Sequence, residues 1–269
     1  LLDLLGLVLG VMQYRVRYAG LMRWHYVLGV ACGGLALTWV FSGFLSMQPG
    51  DWASGENERL RIPAALSGGP LDLSHFPAIN PDAWNRMTGG RATKELEFRR
   101  VQGDAYYVIR GVGRPVLVAA GLLQPRSADF SVEAITRRVT EGAGGVPMAE
   151  SQMLSAYDAY YYDRDRSAPL PVLRVKFDDP QATWIYVDPA ASAMVAQFTR
   201  RQRLERWLYH GLHSLDFSFW YYNRPIWDIG VIVLCSGGAL MSGVSVLIAV
   251  KRLRRTRLPG ARRGWRPRP

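Results

Sequence analysis

Cysteine and histidine are scarce in this chain, with two and four residues in 269. Both cysteines, Cys32 and Cys235, fall inside apolar runs, so the polar remainder of the chain has no disulfide to form. They lie toward opposite ends of the helices expected below and are not expected to pair with each other. Glycine-rich loops with a phosphate-binding pattern are also lacking. Gly111-Val112-Gly113 and the glycines of 142–145 have neither a following Lys-Ser pair nor a strand-to-helix context. No flavin or nicotinamide motif is present. Acidic residues are missing from two short segments, and charge of either sign is missing from two longer ones.

The charge-free segments come first because the rest of the chain is arranged about them. Residues 229–250 contain no charge in 22 positions, long enough as a helix to cross a hydrocarbon core of about 30 Å. Trp220, Tyr221, Tyr222 and Trp227 gather at its start, where amphipathic rings favour the headgroup layer, and Lys251, Arg252, Arg254 and Arg255 close its end. Gly237, Gly238, Ser242, Gly243 and Ser245 are small enough to let a neighbouring helix approach closely. Residues 26–47 form a second uncharged stretch, with Gly29, Gly33 and Gly34 along it and Gln48-Pro49-Gly50 after it. Residues 1–12 are apolar but too short to span. With no charged leader or cleavage site they are expected to be the inner end of a helix that begins upstream, in a longer protein.

The net charge of +11 belongs to the acid-free segments. Twelve of the 33 basic residues are Arg15, Arg17, Arg23 and nine between Lys251 and Arg268, leaving 21 against 22 acidic residues elsewhere. Basic patches beside apolar runs follow the positive-inside rule, which puts 13–25 and 251–269 in the cytoplasm and about 48–225 on the other side. A nucleic-acid role for the basic tail is the alternative. Its direct abutment to a spanning run favours a topology signal that also touches anionic lipid, so no nucleic-acid partner is expected.

The expected division is a partial transmembrane helix at 1–14, a cytoplasmic basic loop at 15–25, a transmembrane helix at 26–47, outer units at 48–122 and 123–199, an amphipathic juxtamembrane segment at 200–225, a transmembrane helix at 226–250 and a basic tail at 251–269. In the first outer unit, Asn80 caps a helix from Pro81, residues 94–111 read as a hairpin turning at Gln102-Gly103-Asp104, and 116–120 as a third strand. In the second, Asp129 or Ser131 caps a helix with Val132, Ile135 and Val139 on one face, ended by Gly142. Strands are expected at 156–162, 172–177, 183–187 and 194–198, and 123–128 reads as a linker. Each unit is a helix followed by an antiparallel meander, an α+β arrangement.

Residues 172–198, with Phe177-Asp178-Asp179, Tyr186-Val187-Asp188-Pro189 and Met194-Val195, resemble the end of a PepSY domain. RWHYVLGV at 23–30, WLYHGLHSLDF at 207–217 and RPIWD at 224–228 are similar to the three marker segments of the PepSY-associated transmembrane family. The resemblance is strongest in the last 80 residues and weak over 50–95. Ala191-Ser192 stands where the family commonly has a Thr-Gly turn, and the family's further amino-terminal helix is not in this sequence. The resemblance implies a polytopic α-helical membrane protein of the bacterial inner membrane, with a periplasmic region of two PepSY-like units and a cytoplasmic C-terminus.

Histidine position carries the candidate chemistry. His25 is expected at the cytoplasmic end of one span, with His210 and His213 before the other span on the opposite side, about 30 Å away, so the two groups cannot share one metal. Three readings stand. The rings make interfacial hydrogen bonds; His210 and His213 bind zinc, for which two of the usual four ligands are visible; or the histidines bind haem. The last follows from the resemblance, because some family members are di-haem ferric-siderophore reductases. It implicates His25 at a cytoplasmic haem b, and His213 with His210 as the alternative at a periplasmic one. Upstream helices or another subunit would supply further ligands. Gly29, Gly33, Gly237 and Gly238 then open a pocket or pack helices. The expected function is haem-linked electron transfer of ferric-reductase type, with a ferric-siderophore as possible substrate. The alternative is a periplasmic module that binds a protease or other protein, anchored by the helices.

Among the carboxylates, Asp158, Asp163, Asp165, Asp178 and Asp179 read as solvated turn residues. Asp216 and Asp228, near Arg206 and Arg224, read as interfacial ion pairs, or leave the arginines for haem propionates. The tyrosines at 160–162 read as strand packing.

Overall fold

The computed structural model of the protein describes residues 18–52, 60–111, 113–163 and 165–256. The partial helix expected at 1–14 and the tail beyond 256 lie outside the described residues. The chain divides into two compact units, one of residues 50–204 and one of residues 1–49 with 205–269.

The 50–204 unit holds two antiparallel meanders. Strands β1 (Thr93–Val101), β2 (Asp104–Gly111), β3 (Val116–Ala119) and β4 (Gln124–Pro125) form one sheet in that order. Strands β5 (Met148–Leu154), β6 (Val172–Phe177), β7 (Trp184–Asp188) and β8 (Ala193–Phe198) form the other. The β1–β2 turn takes positive φ at both Gln102 (53°) and Gly103 (99°), the two-residue geometry whose twist matches the flanking strands, and Val101 pairs with Asp104 across it.

Two helices lie between the sheets. Helix α2 (Ile62–Ser67) contributes Ile62 and Leu66, and α4 (Val132–Gly142) contributes Ile135 and Val139. These join Tyr106, Val108 and Leu117 of the first sheet and Leu173, Val175, Ile185 and Val187 of the second in a single core. Helix α4 forms because its apolar positions recur at helical spacing and the Ser131 hydroxyl accepts the Ala134 N–H at 3.1 Å. It meets α2 at Gly142, where an added Cβ would sit 2.8 Å from Ala65 Cβ and 3.0 Å from Arg61 O. The outer sheet faces are covered too. Helix α3 (Pro81–Thr88), with Met87, and the preceding loop, with Phe76, cover Tyr107, Ile109 and Val118. Tyr157, Tyr161, Ala168 and Leu170, from the tyrosine-rich stretch before β6, cover Val172 and Tyr186.

The structure corrects several expectations. Residues 156–162 are not a strand; the edge strand is β5, which was not anticipated. Its Glu150 and Gln152 face Arg174 and Lys176, so its sequence carries no apolar alternation. Helix α3 forms with its Asn80 cap (Oδ1 to Ala83 N, 2.8 Å), but it covers the outer face, and the six-residue α2 fills the inner one. The linker at 123–128 contains β4. Finally, the two helix-plus-sheet units share one core.

The other unit is helical. Helix α1 (Leu21–Ser46) and α8 (Ile226–Thr256) pack together; after the short helix α5 (Arg200–Glu205), the π-helical turn (Arg206–Gly211) and α6 (Leu212–Ser214) also pack on α1, and α7 (Ser218–Tyr221) packs on α8. His25 meets Ser245, and Cys32 meets the Gly237 position. The indices fall in one helix as they rise in the other, so α1 and α8 run antiparallel. Residues Ile226–Arg255 are long and apolar enough to cross a membrane. The two segments of α1, Leu21–Val30 and Cys32–Ser46, meet at 54° and pass the same test only when taken as one span.

Candidate functional site

His25 and His213 sit at opposite ends of the same helix. His25 Nδ1 lies 3.2 Å from the Ser245 hydroxyl of α8. His213 Nδ1, from α6, lies 3.1 Å from the Ser42 hydroxyl near the far end of α1. Ser42 is fully buried, and both rings are half-buried. Seventeen positions separate His25 from Ser42, about 25 Å along a helix. The two histidine environments therefore belong to separate sites, as the spacing predicts.

Surroundings differ at the two ends. Gly29 and Gly33, one and two turns along α1 from His25, are open, with no atom within 4 Å of where a Cβ would stand. Gly238 is open in the same sense, whereas a Cβ on Gly237 would lie 2.8 Å from Cys32 Sγ, so Gly237 serves helix packing. The His213 ring is more enclosed, with Tyr209 at 5.1 Å and Trp39 at 6.4 Å between centroids. Its Cε1 would lie 3.9 Å from a Cβ on Gly43.

His210 is exposed against Tyr209, and the structure does not bring it to Ser42. No group of three His, Cys, Asp or Glu side chains gathers among the described residues, so the zinc reading gains no third ligand there. Both arginine–aspartate pairs form. Arg206 Nη2 donates to the Asp216 carbonyl at 2.8 Å and lies 3.4 Å from its carboxylate, with both side chains under a tenth exposed. Arg224 pairs with Asp228 one turn along α8.

Sequence reasoning does not single out Ser42 and Ser245 as the partners of the histidines. Ser245 was read only as a small residue, and Ser42 not at all. A hydroxyl in an apolar run opposite a histidine in an antiparallel partner was the available signal.

In the 50–204 unit, a cleft of about 590 Å³ opens between the β2–β3 edge and the loop at residues 71–76. Arg100 is held by Gly103 O and Pro70 O, both at 3.0 Å. Arg126 is held by Ala128 O at 2.8 Å and the Tyr106 hydroxyl at 3.4 Å, and lies 4.0 Å over the Phe130 ring. Leu71 and Leu122, 49% and 73% exposed, line the cleft beside His75. Hydrogen bonds from Ser74 hold the Asp72 carboxyl below its usual range.

Asp158 is not a solvated turn residue. Its Oδ1 accepts the Tyr160 and Tyr161 N–H groups at 2.8 and 2.7 Å, and its Oδ2 accepts the Tyr186 hydroxyl at 2.8 Å and Arg174 Nη1 at 3.0 Å. Burial and then the Asp158 charge push the Tyr186 hydroxyl far up from its ordinary value. Asp179 and Asp163 do cap local turns, accepting from Thr183 and Ser167.

No family model matches the chain, and no curated protein or solved structure matches it either.

Proposed function

We propose that the chain is a multi-pass protein of the bacterial inner membrane that carries electrons across it through haem b, in the manner of a ferric reductase. The observation that supports this most is the pair of half-buried histidines at opposite ends of α1, each tied through Nδ1 to a serine on the facing helix. A polar ring in an apolar helix pair is costly unless it is paired or put to use, and here one stands near each face of a bilayer.

The residues fit the group in part. His25 and His213 would each offer one imidazole nitrogen to the iron, and Gly29 and Gly33 would leave room for a macrocycle beside His25. The enclosed aromatic setting of His213 leaves less. Any further ligand at each site would come from helices upstream of this sequence or from another subunit. Bound there, haem b would supply a one-electron iron couple. The chain's own residues hold the imidazoles, keep water from the helix interface and, through Arg206–Asp216, fix the turn that presents His213. Basic residues 13–25 and 251–269 orient the protein with its C-terminus in the cytoplasm and 50–204 in the periplasm. The electron donor would be a partner or the quinone pool, and the acceptor a ferric ion, reduced by one electron to ferrous.

A second reading is favoured by the cleft of Arg100 and Arg126, namely a periplasmic binding module anchored by the helices. The optical spectrum of the purified full-length protein, oxidised and dithionite-reduced, separates the two. Electron transfer requires a reduced b-type α-band that weakens in His25→Ala or His213→Ala. A protein with no Soret absorbance after expression with haem available sinks it and leaves the binding module.

A further inference from the structure

Both histidine–serine pairs continue in the same way. The Ser245 hydroxyl lies 2.8 Å from the Met241 carbonyl one turn back in its own helix, and the Ser42 hydroxyl lies 3.1 Å from the Trp39 carbonyl. Each contact is donor-to-acceptor in one direction only, because a carbonyl has no proton to give. A serine hydroxyl has one proton, so a serine that donates to its own helix meets the histidine with lone pairs. The histidine must then donate. At Ser245 the carbonyl is the nearer partner, 2.8 against 3.2 Å, which favours that assignment; at Ser42 both partners stand at 3.1 Å, and the assignment there follows the likeness of the two pairs.

We infer that Ser42 and Ser245 are positioning residues that hold His213 and His25 in the tautomer protonated at Nδ1, leaving each Nε2 with a bare lone pair as the ligating atom. Among the described residues, neither Nε2 has a hydrogen-bond partner of its own. The inference rests on the haem reading for what Nε2 would ligate, but the tautomer rests on the Ser245 distances and on the matching arrangement at Ser42. The other tautomer, protonated at Nε2, would put a proton where an iron must bind and would require each serine to abandon its carbonyl. A partner on the non-ligating nitrogen also fixes the ring plane and raises the basicity of the ligating one. Loss of such a partner typically costs about 10–100-fold in metal affinity.

The experiment uses the full chain in lipid nanodiscs with ¹⁵N-labelled histidine rings, prepared without haem and read by NMR at alkaline pH. His25→Gln and His213→Gln assign the signals. Protonated Nδ1 and bare Nε2 are expected at both rings. Ser245→Ala is expected to release His25 alone, Ser42→Ala to release His213 alone, and Ser→Thr at either position to restore the original signals, since threonine keeps the hydroxyl. Protonated Nε2 in the unaltered chain, or Ala variants whose tautomers do not change, would overturn the assignment. Iron protoporphyrin is then titrated into the same samples, with an expected affinity loss of about 10–100-fold in each Ala variant. Equal affinity in all samples would overturn the positioning role. Failure of the unaltered chain to take up haem would overturn the electron-transfer reading, and the tautomer result would still stand.

Discussion

Replacing Asp158 by alanine tests whether the tyrosine-rich segment is clamped to its sheet by one carboxylate. Four donors converge on that group: two main-chain N–H groups, the Tyr186 hydroxyl and Arg174. Tyr186 is 0% exposed, so its hydroxyl finds no water when Asp158 is lost, a cost of about 1–3 kcal/mol. The charge-assisted bonds to the Tyr160 and Tyr161 amides add roughly 1.5–3 kcal/mol. Arg174 keeps Glu150 at 2.8 Å and contributes less. A total of about 3–5 kcal/mol follows, close to what removing one partner of a buried ion pair costs. At about 1.4 kcal/mol per factor of ten, local opening is expected to rise two to three and a half orders of magnitude. Hydrogen exchange of the β6 and β7 amides in the full chain reads this directly. Tyr186→Phe, which leaves Asp158 three donors, is the control and is expected to accelerate exchange about tenfold or less. Exchange in Asp158→Ala within threefold of the parent would refute the clamp and restore the solvated turn residue.

The same region carries an alkaline limit. Burial, and then the nearby Asp188 charge, push the Tyr161 hydroxyl up to about 12, and Tyr186 moves the same way. An unfolded tyrosine ionises near pH 10 while the folded one stays protonated, so the unfolded state holds fewer protons above that pH. The contribution is complete below about pH 10 and falls away between 10 and 12. Protection of β7 should drop over that window, and the drop should shrink in Tyr161→Phe. At the helix contact of the same unit, Gly142→Leu would drive its side chain into Ala65 and the backbone of Arg61 and Ile62. An overpacking loss of about 1–3 kcal/mol is expected in denaturant unfolding, and an unchanged midpoint would show that α2 and α4 can move apart.

What the sequence made legible, and what it hid, follows from how far each signal reaches along the chain. The hairpin at Gln102-Gly103 is local, because two positive φ angles demand such residues, and strand β6 was read at its observed bounds because its apolar positions are consecutive. The cap at Ser131 is equally local. Strand β5 was hidden because Glu150 and Gln152, in its middle, face charges on β6, while only Met148 and Leu154 at its ends pack on a core. Helix α2 was hidden because six residues are less than two turns, too few to show a period. Asp158 was misread because its partners Arg174 and Tyr186 lie 16 and 28 positions away. The histidines were legible as rare polar groups beside apolar runs. Their serines were not, since pairing 25 with 245 requires the antiparallel register of α1 on α8, and pairing 42 with 213 the packing of α6 on α1, neither of which composition supplies.

Why His213 and not the neighbouring His210 reaches Ser42 is a question of backbone geometry. Three positions apart in an α-helix, the two rings would share a face. The turn from Arg206 to Gly211 is π-helical, a wider coil that is rare and recurs at functional sites. It closes on Leu215, at φ 53°, and on the buried Arg206–Asp216 pair, while the Asp216 N–H donates to the His210 carbonyl at 3.2 Å. A well-packed apolar pair would serve stability there as well or better, because burying two charges costs about as much as their attraction returns. What the ion pair does, and leucines would not, is bind the return of the chain at one fixed point to the first residue of the turn. His210, at the end of that turn, is exposed beside Tyr209, and His213, in the short α-helical turn that follows, meets the buried hydroxyl of α1. The turn, the ion pair and Ser42 thus fix where one imidazole meets α1, while both rings keep the same 5.1 Å distance to Tyr209.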